Sequence, residues 1–370
     1  MIPLPTTRRS FLQASLASAA AAAVGSPPSR APELSILVLG GTSFLGPCVV
    51  RAALARGHKV TLFNRGKTNA DMFPQLEKLR GDRNAGDLAS LQGRVFDAVV
   101  DTSGYVPSHV EATAKLFADS AKHYTFVSSI SVYSEFGTVA KDIDETGTVA
   151  EVGDDVVAKV STIRESIPHY GAMKARCEQA AEAAMPGGVA NVRPGLIVGP
   201  DDPTDRFTWW PVRVDRGGKV LAPGDQDARV QTIDVRDLGE WIVHCIDQRV
   251  TGVYNAVGFD GPLSMAEFLG ACKCATSTSS ELVWASEEFL EANGVGAWME
   301  MPLWLPRTGR SYALNDRARA QGLRFRPMAD TIRDTLAWAK ANPRPFARTG
   351  LEPGKEKALL EKLAQAGGGK

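Results

Sequence analysis

Tyr170 and Lys174 stand four residues apart in Tyr170-Gly171-Ala172-Met173-Lys174, which opens a helical pattern. That spacing places both side chains on one helix face, a turn apart. An ammonium beside a phenol stabilises the phenolate and lowers a pKa whose reference value is about 10. The pair therefore describes a general acid/base, Tyr170, tuned by Lys174. Ser129 follows a strand-like run, Tyr124-Thr125-Phe126-Val127, and offers a hydroxyl to hold a reacting oxygen.

A second cluster lies nearer the start. Leu34 to Leu39 is a short apolar run that reads as a buried parallel strand. It feeds Gly40-Gly41-Thr42-Ser43-Phe44-Leu45-Gly46, and a helical pattern follows from Pro47 to Arg56. Glycines at a strand-to-helix turn let backbone N–H groups approach a pyrophosphate at the helix N-terminus. Lys59 to Phe63 then completes a βαβ unit of the Rossmann type. An acid roughly 20 residues past such a turn holds the ribose hydroxyls of NAD. Asn64, followed by Arg65, occupies that place. With no carboxylate to repel a 2′-phosphate and a guanidinium to pair with it, the reading favours NADP over NAD. Asp82 follows the third strand and is a candidate adenine contact.

The elements that must position these groups continue the alternation. Phe96-Val100, Tyr124-Val127 and Val189-Val192 read as strands, and Val110-Ser120 and Met173-Ala184 as helices. The expected fold is α/β, a doubly wound parallel sheet of Rossmann type with a smaller C-terminal substrate-binding lobe. Residues 32–200 form the dinucleotide-binding part. Residues 201–345 form the lobe, with Val230-Asp234 and Val253-Ala256 returning to the main sheet, and 346–370 an exposed charged tail.

Residues 1–31 carry a different signal. Thr7-Arg8-Arg9-Ser10-Phe11-Leu12-Gln13 precedes an Ala-rich apolar run, Ala14 to Val24, too short to span a bilayer. The paired arginines resemble a twin-arginine export signal, which implies folding before export to the periplasm or beyond, and no membrane span after cleavage. Lys and Arg total 42, as do Asp and Glu, so no excess of basic charge favours a nucleic-acid partner. The five cysteines are an odd count in a large chain and make no disulfide framework. Cys272-Lys273-Cys274 has no second pair to complete a metal site, and no metal is expected.

Taken in order, the glycine turn, Phe126 to Tyr133, Tyr170 to Lys174 and Val192 to Pro200 resemble the extended short-chain dehydrogenase/reductase family, in its NAD(P)-dependent epimerase/dehydratase branch. Gln231 to Leu238, Val253 to Ala256 and Gly322 to Pro327 agree, so the likeness runs from about residue 34 to 342. The resemblance implies Tyr170 as the active tyrosine, Lys174 as its lysine and a ribose ligand, and Ser129 as the active hydroxyl. It implies Pro194-Gly195-Leu196 beside the nicotinamide, with Gly40, Thr42, Ser43, Phe44, Leu45 and Gly46 around the pyrophosphate. Ser43 departs from the usual middle glycine, as in atypical members that include chloroplast RNA-binding relatives.

Substrate candidates are Ser103 and Tyr105 after the fourth strand, and Trp209, Trp210, Arg213 and Arg229 in the lobe. Tryptophan faces suit sugar rings and arginines suit acidic groups, although a Trp-Trp pair serves equally well as core. The expected activity is hydride transfer on a sugar-like or polyol substrate, with a cofactor retained through export. An NADPH-dependent carbonyl reductase that exchanges its cofactor, and a non-catalytic Rossmann-fold binding protein, are the alternatives. A homo-oligomer is compatible with each.

Overall fold

Ile36 to Leu39 are fully buried in β1 (Ser35–Leu39), as a short apolar run covered on both faces must be. Its side chains alternate: Ile36 and Val38 join one apolar cluster, Leu37 and Leu39 another. The computed structural model describes residues 32–346 and 349–367, so the expected export signal, residues 1–31, lies outside the described residues.

Six further strands pair with β1 in one parallel sheet: β2 (Lys59–Asn64), β3 (Glu77–Arg80), β4 (Ala98–Asp101), β5 (His123–Val127), β6 (Val189–Pro194) and β7 (Gly252–Ala256). Their spatial order is β7-β6-β5-β4-β1-β2-β3. On one face pack α1 (Leu45–Ala55) and α4 (Val235–Gln248), through Val49, Val50, Leu238 and Ile242. On the other lie α2 (Pro107–Phe117) and α3 (Tyr170–Ala184), through Val110, Phe117, Cys177 and Ala181. This is the doubly wound α/β architecture that the alternating pattern predicts. Chain order reverses between β1 and β4, which opens a crevice at their carboxyl ends.

The chain from Leu34 onward forms one compact unit, and beyond Val198 it builds a second apolar core within that unit. Trp209 and Trp210 sit in this core, 2% and 0% exposed, and the Trp210 indole N–H donates to the Pro302 carbonyl at 2.7 Å. Both are therefore packing residues, not the substrate contacts expected. Val253 to Ala256 joins the main sheet as β7, but Thr232–Asp234 does not. It pairs with Leu196–Val198 in a separate two-stranded sheet.

The segment expected as an exposed tail is instead tied to the second core. Its helix, Pro353–Gly367, buries Leu359 and Glu356. Glu356 accepts from Arg213 Nε at 2.6 Å and from the Leu221 backbone N–H at 3.1 Å. Arg213 is thereby committed to a structural ion pair and does not serve a substrate. Removing one partner of a buried pair leaves an uncompensated charge. Glu356→Ala should cost about 3 kcal/mol in urea unfolding; a loss below about 1 kcal/mol would mean that the helix anchors nothing.

Candidate active-site cleft

The carboxyl ends of β1, β4, β5 and β6 open into a cleft of about 870 Å³. Gly40 to Leu45, Asn64 to Thr68, Ser129, Tyr170, Lys174 and Pro194 to Ile197 all line it. The sheet thus brings together residues that the sequence separates by more than a hundred positions.

At the first end, Gly40 and Gly41 take positive φ, 106° and 85°, which side chains disfavour. A Cβ on Gly46 would lie 2.6 Å from the Gly41 Cα, so the turn folds directly onto the start of α1. No side chain caps that helix, and no acid stands in its first turn. The Gly46 N–H bonds the Ser43 carbonyl at 3.0 Å and Pro47 has no N–H, so the glycine turn and the helix dipole are what suit this end to a pyrophosphate.

Asn64 lines the cleft but is occupied. Its amide donates to the Gly40 carbonyl at 2.9 Å and accepts from the Gly66 N–H at 2.9 Å and from Arg80. It braces the turn, leaving Arg65 and Lys67, exposed beside it, without a side-chain partner among the described residues. Asp82 lines the same end while its carboxylate caps a short turn by accepting from the Asn84 N–H at 3.1 Å.

The middle of the cleft holds the predicted trio. Lys174 is 3% exposed, and its ammonium donates to the carbonyls of Gly104 at 2.7 Å and Val127 at 2.6 Å. It also faces the rings of Phe126 and Tyr105 at 4.4 and 4.9 Å. One of its three N–H groups remains for a ligand. Burial pulls its pKa down to about 8. Ser129 accepts from the Ser131 N–H at 3.1 Å and keeps its own O–H to donate.

Tyr170 enters over this pair because α3 starts against the turn after β5. A Cβ on Gly171 would meet the Ser131 carbonyl oxygen at 1.9 Å, an approach only glycine permits. The tyrosine does not behave as the Tyr-Lys spacing suggested. Burial raises its pKa above the ordinary value, and the opposing pull comes from the Ser129 hydroxyl and the Arg206 guanidinium. The Lys174 charge is spent on two carbonyls and two rings.

Beneath the cleft, Arg83 and Asp101 form a buried pair at 2.7 and 3.0 Å. Burial works against the Asp101 carboxylate, yet the Arg83 charge and hydrogen bonds outweigh it and hold its pKa low. Arg83 also donates to the Ser103 hydroxyl at 2.8 Å, and that hydroxyl bonds the Leu39 carbonyl at 3.2 Å. Ser103 is therefore part of the scaffold rather than a free substrate contact. Tyr105 does face the cleft, its ring 6.5 Å from that of Tyr170, and burial pushes its pKa up to about 12. Arg229 is at the rim, paired with Asp142 at 2.7 Å and stacked on Tyr312 at 3.8 Å.

Sequence reasoning missed Arg83 and Arg206. Gly81-Asp82-Arg83 drew attention to its acid, and nothing in the local pattern marks Arg206.

The sequence matches the model of the NAD dependent epimerase/dehydratase family over residues 36–257. The chloroplast stem-loop binding protein of 41 kDa b from Arabidopsis thaliana is 33% identical over 120 residues, 28% of this chain and 32% of that protein. The 2-alkyl-3-oxoalkanoate reductase of Stenotrophomonas maltophilia is 30% identical over 212 residues, 54% of this chain and 61% of that enzyme. The chain thus matches 32% and 61% of the length of these two relatives. Among solved structures, the UDP-glucuronic acid 4-epimerase of Bacillus cereus, in complex with NAD, shares the fold at TM-score 0.58 and 15% identity, over 84% of this chain and 100% of that one. A human epimerase family protein with NADPH does so at TM-score 0.56 and 19% identity, over 82% and 99%.

The close approach of α3 is directly measurable. Gly171→Ala must push the first turn of the helix off Ser131, and should cost about 2 kcal/mol of stability in chemical denaturation. An unchanged unfolding midpoint would contradict the packing.

Proposed function

The chain belongs to the NAD dependent epimerase/dehydratase family, and from that premise we propose that it moves hydride and a proton at one substrate carbinol or carbonyl, with Tyr170 as acid/base. A nicotinamide cofactor is in keeping with the family and with the fit of the cleft: an uncapped helix start, a glycine cradle and a lysine with one N–H unspent. A nicotinamide held there supplies hydride to a carbonyl carbon, or takes it from a carbinol carbon. The observation that carries the reading is the fixed Lys174 ammonium, next to Tyr170 and Ser129 at the switch point of the sheet.

In this reading the Ser129 hydroxyl holds the substrate oxygen, and the phenol of Tyr170 gives it a proton or removes one. The raised pKa of Tyr170 keeps the phenol protonated at neutral pH, which suits the reducing direction. Pro194, Gly195 and Leu196 line the cleft and would form the wall beside a bound nicotinamide. We assign the adenosine end to Arg65 and Lys67, whose unpaired charges favour the 2′-phosphate of NADP. The Thr7 to Gln13 motif supports export of the folded protein with its cofactor retained, which suits epimerisation of a sugar-like or polyol substrate.

A second reading, an exchanging NADPH-dependent carbonyl reductase, is favoured by one feature. Phe136, Ile163, Leu303 and Leu305 give the cleft apolar walls, and one relative is named a 2-alkyl-3-oxoalkanoate reductase. Mass spectrometry of molecules released on denaturation separates the two. A stoichiometric nicotinamide dinucleotide indicates retention, whereas an empty chain that consumes NADPH with a carbonyl substrate indicates exchange.

Three outcomes test the assignment itself. Tyr170→Phe should lower kcat at least about a hundredfold while leaving dinucleotide affinity near native; full activity would favour a non-catalytic binding protein. Lys174 works as the ammonium, a form lost as pH rises through about 8, so kcat/KM for the dinucleotide should fall above that pH. Lys174→Arg should move that limb upward, and a native profile in the variant would remove Lys174 from the account. Arg65→Ala should weaken NADP about tenfold by calorimetry and leave NAD nearly unchanged; equal losses for both would refute the 2′-phosphate assignment.

A further inference from the structure

We propose that Arg206, its guanidinium lying over the Trp298 ring, receives a carboxylate that the substrate carries close to its reacting carbon. This deepens the hydride-transfer reading and rests on it for the identity of the reacting carbon. Arg206 lines the cleft with its guanidinium carbon 5.1 Å from the Trp298 ring centre. Among the described residues it has no hydrogen-bond or ion-pair partner.

Within its own loop the vacancy is specific to this side chain. Asp205, its neighbour, is taken by Arg344 at 2.7 Å. Asp202 spends one carboxylate oxygen on the N–H and hydroxyl of Thr204, both at 2.8 Å. The remaining Asp202 oxygen is buried without a hydrogen bond and burial raises the pKa of that carboxyl; its charge and that of Arg206 attract, but the two side chains form no hydrogen bond or ion pair. Away from the end of β2, where Arg65 and Lys67 stand, the other cleft cations are committed: Arg83 to Asp101, Arg229 to Asp142, and Lys174 to backbone carbonyls. A partly buried guanidinium is costly to leave unpaired, so a site that keeps one is arranged for an incoming anion.

Both walls of the subsite are held in place. Trp298 and Leu303 have φ of 67° and 64°, conformations that bulky side chains rarely adopt, and both line the cleft. The Trp298 N–H bonds the Trp304 carbonyl at 3.1 Å, and the Gly350 N–H bonds the Met299 carbonyl at 2.7 Å. On the opposite side, Arg344 donates to the Asp202 carbonyl at 2.6 Å and Thr349 to the Thr204 carbonyl at 2.9 Å. The C-terminal segment therefore clamps the loop that carries Arg206.

Location relates this subsite to the chemistry. Arg206 is near enough to Tyr170 for its charge to oppose the burial of the phenol. Both residues line the one cleft, so an anion on Arg206 shares it with the oxygen that exchanges a proton with Tyr170. A single planar guanidinium matches a carboxylate edge to edge. A phosphate dianion would call for a second unpaired cation, and those of the cleft stand at Arg65 and Lys67, beside the end of β2.

The test uses the full-length protein saturated with NADP and two matched probe pairs. One is 2-methyl-3-oxooctanoate with its methyl ester; the other is D-galacturonate with its methyl ester. In at least one pair the carboxylate should bind about tenfold more tightly than the ester. Arg206→Gln should bring that ratio close to one, and Arg206→Lys should keep part of it. The Gln variant keeps most of the side chain's bulk beside Trp298, so its thermal midpoint should stay near native. Failure of both pairs to prefer the carboxylate, or a preference that survives Arg206→Gln, overturns the proposal. Tyr170→Phe should keep the carboxylate preference while losing turnover. If that variant turns over normally, the hydride-transfer reading fails and the anion site stands.

Discussion

The ammonium of Lys174, bonded to the carbonyls of Gly104 and Val127, is the contact on which the rest of the cleft depends. It fastens α3 to the chain leaving β4 and to the last residue of β5, two strand ends that otherwise terminate beside an open crevice. The lysine is buried, and burial alone would favour the neutral amine. Two carbonyls and two aromatic faces compensate in part, which holds the side chain in one place. Tyr170 one turn earlier then has little freedom, because Gly171 presses α3 against Ser131.

A second electrostatic anchor lies below. Arg83 and Asp101 satisfy each other, and Tyr124 donates to the same carboxylate at 3.2 Å. Arg83 lies just beyond β3, so the pair ties the outer strands to the middle of the sheet. Ser103 is held as a by-product. The cleft consequently divides its charges by role. Arg83 and Lys174 hold the floor, Arg65 and Lys67 stand beside the end of β2, and Arg206 lies over Trp298.

Much of this was legible in the sequence, because the chemistry sits at strand and helix ends that periodicity reveals. The glycine turn, Ser129 and the Tyr170-Lys174 spacing all converge on one cleft. What failed to read was whatever depends on long-range partners. Trp209, Trp210 and Arg213 have residue types that suit sugar or acid recognition, but the tryptophans pack in the second core and the arginine pairs with a C-terminal helix no local pattern linked to it. Asn64 looked like a ribose contact and is held by the glycine turn and by Arg80. The surroundings of the tyrosine do not read for a related reason: spacing gives proximity along a helix, whereas the partners that occupy Lys174 come from β5 and from the chain leaving β4. Arg206 is informative only through the partners it lacks, which no sequence displays.

The central claim is that this cleft holds a nicotinamide dinucleotide beside Tyr170. Titrating NADPH with the purified chain, and following the fluorescence of the reduced nicotinamide, tests it most directly. The account predicts a saturable change in emission at one equivalent, reversed by excess NADP. Emission that stays that of free NADPH up to millimolar protein would contradict it.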